Sequence, residues 1–215
     1  VKKILILGAG VFGRRALCAL KEQYDHITVV DRDKEALKSS TGTEVKVVRE
    51  EAVLFLAGSD LREFDWIIPA LPLHLAFSWL LCVLKNDRVP CRQVPVPPGL
   101  AVPNPYYRDG TLYTSLAEHI CPPACPEPEG TCYLTGKERE APLFEILRKM
   151  TLRDCWVEVV RSHQLAPGVG GIRPERLIAL YHSARSVRGN ILVATACACH
   201  GVLNMMGISS RQKGR

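Results

Sequence analysis

The strongest constraint on the fold lies in the first twenty residues. Lys3–Leu7 is a short apolar run that ends in Gly8-Ala-Gly10-Val-Phe-Gly13. From there apolar residues recur at helical spacing, Val11, Leu17 and Leu20, with Ala16 and Ala19 filling the stripe. A buried strand, a glycine turn and a helix are therefore expected in immediate succession. Two lysines before an apolar run also resemble the start of a secretory leader. That reading fails because Gly8, Gly10 and Gly13 interrupt the run and Arg14-Arg15 follow it. A cytoplasmic location is the corresponding expectation.

Strand, G-x-G-x-x-G and helix form the setting in which a dinucleotide is held. Gly8 permits the tight turn, Gly10 lets a pyrophosphate approach the backbone, and Gly13 lets the helix lie close to the sheet. The helix N-terminus at Val11 and Phe12 presents free N–H groups to the phosphates. A second strand, His26–Val30, ends in Asp31, 18 residues after Gly13, where a carboxylate can accept both ribose hydroxyls. Asp31 favours NAD, since a 2′-phosphate would meet a negative charge; Arg32 directly after it leaves NADP open. The expected dinucleotide set is thus Gly8, Gly10, Val11, Phe12, Gly13, Asp31 and Arg32.

The alternation continues. Lys34–Ser39 reads as a helix, Glu44–Val48 as a strand and Glu51–Ala57 as a helix. Asp65-Trp-Ile-Ile-Pro-Ala70 reads as a strand, Leu73–Lys85 as an apolar helix, and Cys91–Pro97 as a fifth strand near an edge. The expected fold class is α/β, a Rossmann-like doubly wound parallel sheet over residues 1–98. Gly8, Gly10, Gly13, Asp31 and the Asp65-Trp-Ile-Ile strand resemble the NAD-binding domains of potassium-transport regulatory subunits of the Trk or RCK type. The resemblance implies a nucleotide-sensing regulatory role. The Leu73–Leu84 helix is read as core, with a subunit interface, and hence a homodimer, as second reading.

Prolines 95, 97, 98, 103 and 105 mark a composition shift near residue 100. Residues 99–215 are expected to form a second, cysteine-rich α/β unit, either a separate domain or an extension of the first sheet. Its strands are Gly110–Ser115, Cys155–Arg161 and Asn190–Thr195, and its helices Ala141–Met150, Arg173–His182 and Gly201–Met206. Three segments that follow those strands carry the chemistry: Glu118–Cys132, Ser162–Gly171 and Ala196–Gly201. In a parallel unit such loops emerge at one carboxyl edge. They would gather Cys121, Cys125, Cys132, Cys197, Cys199 and His200, a set of soft donors suited to zinc or an iron–sulfur cluster. A redox dithiol or inert thiols are the competing readings. His119 and His163 are read as hydrogen-bonded rather than ligating. Cys18, Cys82, Cys91 and Cys155 are read as core residues. Ala166–Gly171 is read either as a loop that wraps an anion at a helix N-terminus or as a plain glycine turn.

Nine cysteines cannot all pair, and 215 residues build a core without a disulfide framework. No apolar run reaches the roughly 18–20 residues a membrane span needs. The net charge of +6 is spread without a basic helix or aromatic platform, so nucleic acid is not an expected partner. The basic tail from Arg211 reads as a solvated terminus. The sequence therefore predicts an NAD(P)-binding protein with a Cys/His metal or cluster site and a redox role. Its partners are a dinucleotide and an unspecified small molecule or protein. No catalytic acid or base stands out.

Overall fold

The computed structural model describes residues 1–128 and 130–209; Glu129 and the basic tail lie outside the described residues. The first half runs β1 (Lys3–Leu7), α1 (Val11–Leu20), β2 (His26–Asp31), α2 (Lys34–Leu37), β3 (Val45–Arg49) and α3 (Ala52–Gly58). It continues through β4 (Trp66–Pro69), α4 (Leu75–Asn86) and β5 (Cys91–Val94). The pairs β3–β2, β2–β1 and β1–β4 are all parallel. Acidic side chains start two of the helices: Asp33 accepts from Glu35 N, and Glu51 accepts from Leu54 N.

The second half contains β6 (Tyr106–Arg108), β7 (Thr111–Ser115), α5 (Leu143–Arg148) and β8 (Cys155–Ala166). It ends with β9 (Val169–Ile172), α6 (Pro174–Ser186), β10 (Gly189–Ala196) and β11 (His200–Ile208). Its strands extend the first sheet. The order is β3-β2-β1-β4-β9-β8-β10-β11-β7-β6, with β5 paired to β11. The join is antiparallel, through Ile67 opposite Ile172.

This topology corrects the expectation of an alternating parallel second unit. Only β8 and β10 pair in parallel, bridged by α6. The pairs β8–β9 and β10–β11 are antiparallel hairpins. Gly201–Met206, expected as a helix, lies within β11. Leu203–Met206 are buried in succession because helices cover both faces of the strand, so the alternation that would have marked it is missing. Ala166–Gly171 is the β8–β9 hairpin rather than an anion-wrapping loop.

One face of the sheet carries α3, α4 and α6. There Leu5, Leu7, Ile67, Val160, Ile191, Val193 and Met206 pack against Leu56, Leu80, Leu84 and Leu177. On the other face α1 covers Ile4 and Ile6, while α5 covers Val159, Leu192 and Leu203. Each fully buried aliphatic side chain contributes about 1.5–3 kcal/mol relative to exposure. Because α4 contacts α3, α6, β5 and β10, a single core runs under both halves. The expected core role of that helix is what the packing shows. Among the described residues no helix is long and apolar enough to cross a membrane.

The hairpins preserve the convergence expected from a parallel sheet. β1, β2 and β4 end at one edge of the sheet, and β8 runs parallel to β4 because both oppose β9. The β8–β9 turn, the β10–β11 turn and the end of β7 therefore join the glycine loop on that edge.

Candidate functional site

The glycine loop is shaped by contact as well as by turn geometry. Gly8 has φ +103°, and a Cβ there would lie 2.4 Å from the Ala70 carbonyl oxygen. A Cβ on Gly13 would lie 1.9 Å from the Gly8 carbonyl oxygen, so only glycine lets α1 sit this close to β1. Gly10 faces open space. It caps α1 without a side-chain hydrogen bond, and the first turn holds no acidic residue, leaving the helix N-terminus free for an anion. Val11 and Phe12 are exposed beside it.

Asp31, at the end of β2, accepts hydrogen bonds from Ala9 N at 2.7 Å and from Asp33 N at 2.9 Å. The carboxylate is thereby fixed against the glycine loop. Arg32 is exposed next to it, and Arg14 turns back to the Ala9 carbonyl at 3.3 Å.

The cysteine-rich segment folds over the β8–β9 and β10–β11 turns. A cavity of about 220 Å³ is bounded by Cys121, Cys125, Glu127, Gln164, Gly168, Cys197, Cys199 and His200. A neighbouring one of about 390 Å³ shares Cys121, Cys125 and Cys199 and adds His119, Cys132 and Arg139. All six expected soft donors thus line two adjoining cavities. His200 Nε2 lies 3.5 Å from Cys121 Sγ, and its Nδ1 lies 4.0 Å from Cys197 Sγ. His119 Nε2 lies 3.6 Å from Cys132 Sγ and 4.0 Å from Cys121 Sγ. These contacts run as one chain, Cys132–His119–Cys121–His200–Cys197. Among the described residues no group of three or more His, Cys, Asp or Glu side chains is placed so that it could hold a metal ion as it stands.

The thiols differ in acidity. Burial first, then the neighbouring Glu127 charge, pushes Cys197 up to about 12. Burial likewise pushes Cys199 up to about 11, against the pull of Arg139. Cys132 is held down to about 7, chiefly by hydrogen bonding from Thr135. Burial lowers His200 and raises Cys121. The deeper thiols are therefore held protonated unless a cation compensates their charge.

His119, read from the sequence as hydrogen-bonded, contacts two sulfurs. Three contributors go unmarked in the sequence reading. Glu127, between two prolines, accepts from Ala198 N and braces the Cys197–His200 turn. Arg139 stands in the larger cavity. Arg15 of α1 donates to the Pro123 carbonyl at 2.8 Å, tying the dinucleotide helix to the cysteine segment. No signal marked Arg15 or Arg139; the Pro-Glu-Pro flanks were the available sign for Glu127. Among the expected core thiols, Cys18 is exposed on α1, because Ala16, Leu17 and Leu20 already fill its inner face, and Cys82, Cys91 and Cys155 are half-buried. Cys199, an expected donor, is the buried one.

Strand order and the glycine loop, with an acid at the end of β2, define a Rossmann-type nucleotide-binding domain, and residues 4–95 match the TrkA-N domain, the NAD-binding type. Residues 73–209 match the family described as "Uncharacterized protein, C-terminal domain", and the chain belongs to that family. An uncharacterized protein of Archaeoglobus fulgidus is 30% identical over 219 positions, covering 94% of this chain and 98% of the relative. The two matched regions overlap along α4, the helix whose packing joins the halves.

Proposed function

We propose that this chain is an NAD(H)-binding redox protein whose thiol–imidazole pocket takes a soft metal ion or an iron–sulfur cluster. The observation that carries the reading is the common edge. The glycine loop, the β8–β9 turn and the Cys/His pocket open on the same side of one sheet, and Arg15 bridges them. With its adenosine half toward Asp31, a dinucleotide would extend its other half across β4 toward β9.

Donor chemistry supports the metal part. Thiols gathered beside His119 and His200 are soft ligands, and a cation would supply the charge that keeps buried Cys197 and Cys199 deprotonated. Binding would draw these side chains together. The dinucleotide would supply or accept a hydride; the chain orients it through the glycine loop and Asp31.

A second reading rests on the TrkA-N match over residues 4–95: a nucleotide-sensing regulatory subunit in which the metal is structural. Visible absorption with metal analysis, on protein purified without oxygen, separates the two. A brown protein with iron and acid-labile sulfide supports the redox reading. A colourless protein with one zinc supports the regulatory one. No metal, with freely titrating thiols, removes the metal site altogether. Fluorescence titration with NADH and NADPH tests the cofactor: binding of neither removes the dinucleotide.

A further inference from the structure

The contact between Arg15 and the cysteine segment carries a consequence for how the two sites communicate. Arg15 lies on the second turn of α1, behind the N-terminus that faces the dinucleotide phosphates, with its guanidinium also 5.4 Å from the exposed ring of Phe12. Its Nη1 donates to Pro123 O, the carbonyl between Cys121 and Cys125. Pro123 has no N–H of its own, so this part of the segment is held mainly through its carbonyls. From below, the β8–β9 turn makes the matching contacts: Gly168 N donates to Cys125 O at 3.2 Å, and Gln164 Nε2 donates to the same oxygen at 2.6 Å. The backbone of the cysteine segment is thus held by both the dinucleotide helix and the β8–β9 turn, and α1 also lies against β8 and β9. That turn lies between two and three strand spacings from β1, roughly 10–14 Å at ~4.8 Å each.

We infer that Arg15 is a positioning residue through which occupation of the dinucleotide site orders the Cys121–Pro128 segment. The inference rests on the dinucleotide reading and not on the identity of any metal. A phosphate at the N-terminus of α1 fixes the first turns of the helix, Phe12 and Arg15 with them. Arg15 then holds Pro123 O in place. By linkage, an ordered segment tightens dinucleotide binding by the same factor.

Hydrogen exchange read by mass spectrometry on the full chain tests this, with NADH as the probe and intrinsic fluorescence reporting binding in parallel. NADH should slow exchange across the Cys121–Pro128 segment by about fivefold or more, in the usual range of site-to-site coupling. Exchange in the β6–β7 hairpin should stay unchanged. In Arg15→Met, which keeps the apolar stem against Phe12, NADH should still bind while the protection of the segment is lost. Should that variant not fold, Arg15→Lys is judged by the same two readouts, with reduced protection expected because the shorter, single-point donor fits the carbonyl less well. NADH binding without protection of the segment in the unaltered protein overturns the inference and leaves the dinucleotide reading intact. Undiminished protection in the Arg15 variants also overturns it, since another route would then carry the coupling. Failure of NADH to bind overturns both, and the fluorescence readout shows which case holds.

Discussion

His74 and Asn204, 130 residues apart in sequence, share a buried hydrogen bond of 2.9 Å between Nδ1 and Oδ1. Asn204 commits its amide nitrogen to Thr111 Oγ1 and Gly110 O, so its oxygen accepts and His74 Nδ1 carries the proton. His74 Nε2 then accepts from the Thr195 hydroxyl at 2.9 Å. The ring at the start of α4 is thereby locked as one neutral tautomer between helix and sheet.

Stability should therefore fall with acid. Burial lowers the His74 pKa to about 4, against an ordinary value of 6.5. Between those values the unfolded chain binds a proton that the folded one excludes, so stability declines as pH falls from about 6.5 to about 4 and this contribution levels off below. The full effect is on the order of 3 kcal/mol. Urea denaturation at pH 7 and pH 5 should show about 2 kcal/mol of it. His74→Leu should remove this pH dependence and cost about 2 kcal/mol or more at pH 7, because Thr195 and the Asn204 oxygen lose their partner.

Gly10 and Gly13 should separate binding from folding. A Cβ on Gly13 meets the Gly8 carbonyl at 1.9 Å, so Gly13→Ala must push α1 off β1, at a cost of about 1–3 kcal/mol or more. Gly10 has φ −69°, which alanine tolerates, and open space around it. Gly10→Ala should leave the melting temperature nearly unchanged and weaken NADH binding about tenfold or more, since its methyl stands where the phosphates approach. Thermal melts and fluorescence titrations of the two variants check both halves of the contrast.

Asp31→Asn tests the ribose side. The carboxylate accepts from Ala9 N and Asp33 N and would accept from ribose hydroxyls as well. Asparagine keeps one acceptor oxygen and no charge. Loss of a charged hydrogen bond, about 1.5–3 kcal/mol, should weaken NADH binding about 10–100-fold, while NADPH binding weakens less or improves. Equal losses for both nucleotides would place Asp31 outside the ribose site.

These contrasts show which parts of the molecule its sequence encodes locally. The glycine loop and Asp31 are legible because each glycine answers a contact within one βαβ unit. The same is true of β1 and β2, whose ends differ by at most one residue from the expected ones. The β8–β9 and β10–β11 hairpins are not. Pro167-Gly168 and Cys197-Ala-Cys199 lack the Asn-Gly or Asp-Gly pairs that mark a two-residue turn. β11 is buried on both faces and so shows no alternation. The donor loops still meet at one edge, because antiparallel turns and parallel loops can share an edge. The contact of His119 with Cys132 depends on how a proline-rich segment folds back, which no periodicity reports.

Gly168 offers the sharpest test of the clamp beneath the cysteine segment. Its φ is +71°, and a Cβ would lie 1.9 Å from the Pro123 carbonyl oxygen. Gly99 has a similar φ of +77° but nothing within 4 Å of a Cβ. Alanine at Gly99 should thus cost only the backbone strain, about 1 kcal/mol. Alanine at Gly168 bears that strain and must also displace the Pro122–Cys125 backbone, for a loss of about 2 kcal/mol or more. The excess of the second over the first, measured by urea denaturation, reports the contact alone. Equal losses at the two positions would mean that the β8–β9 turn does not support the segment that carries Cys121 and Cys125.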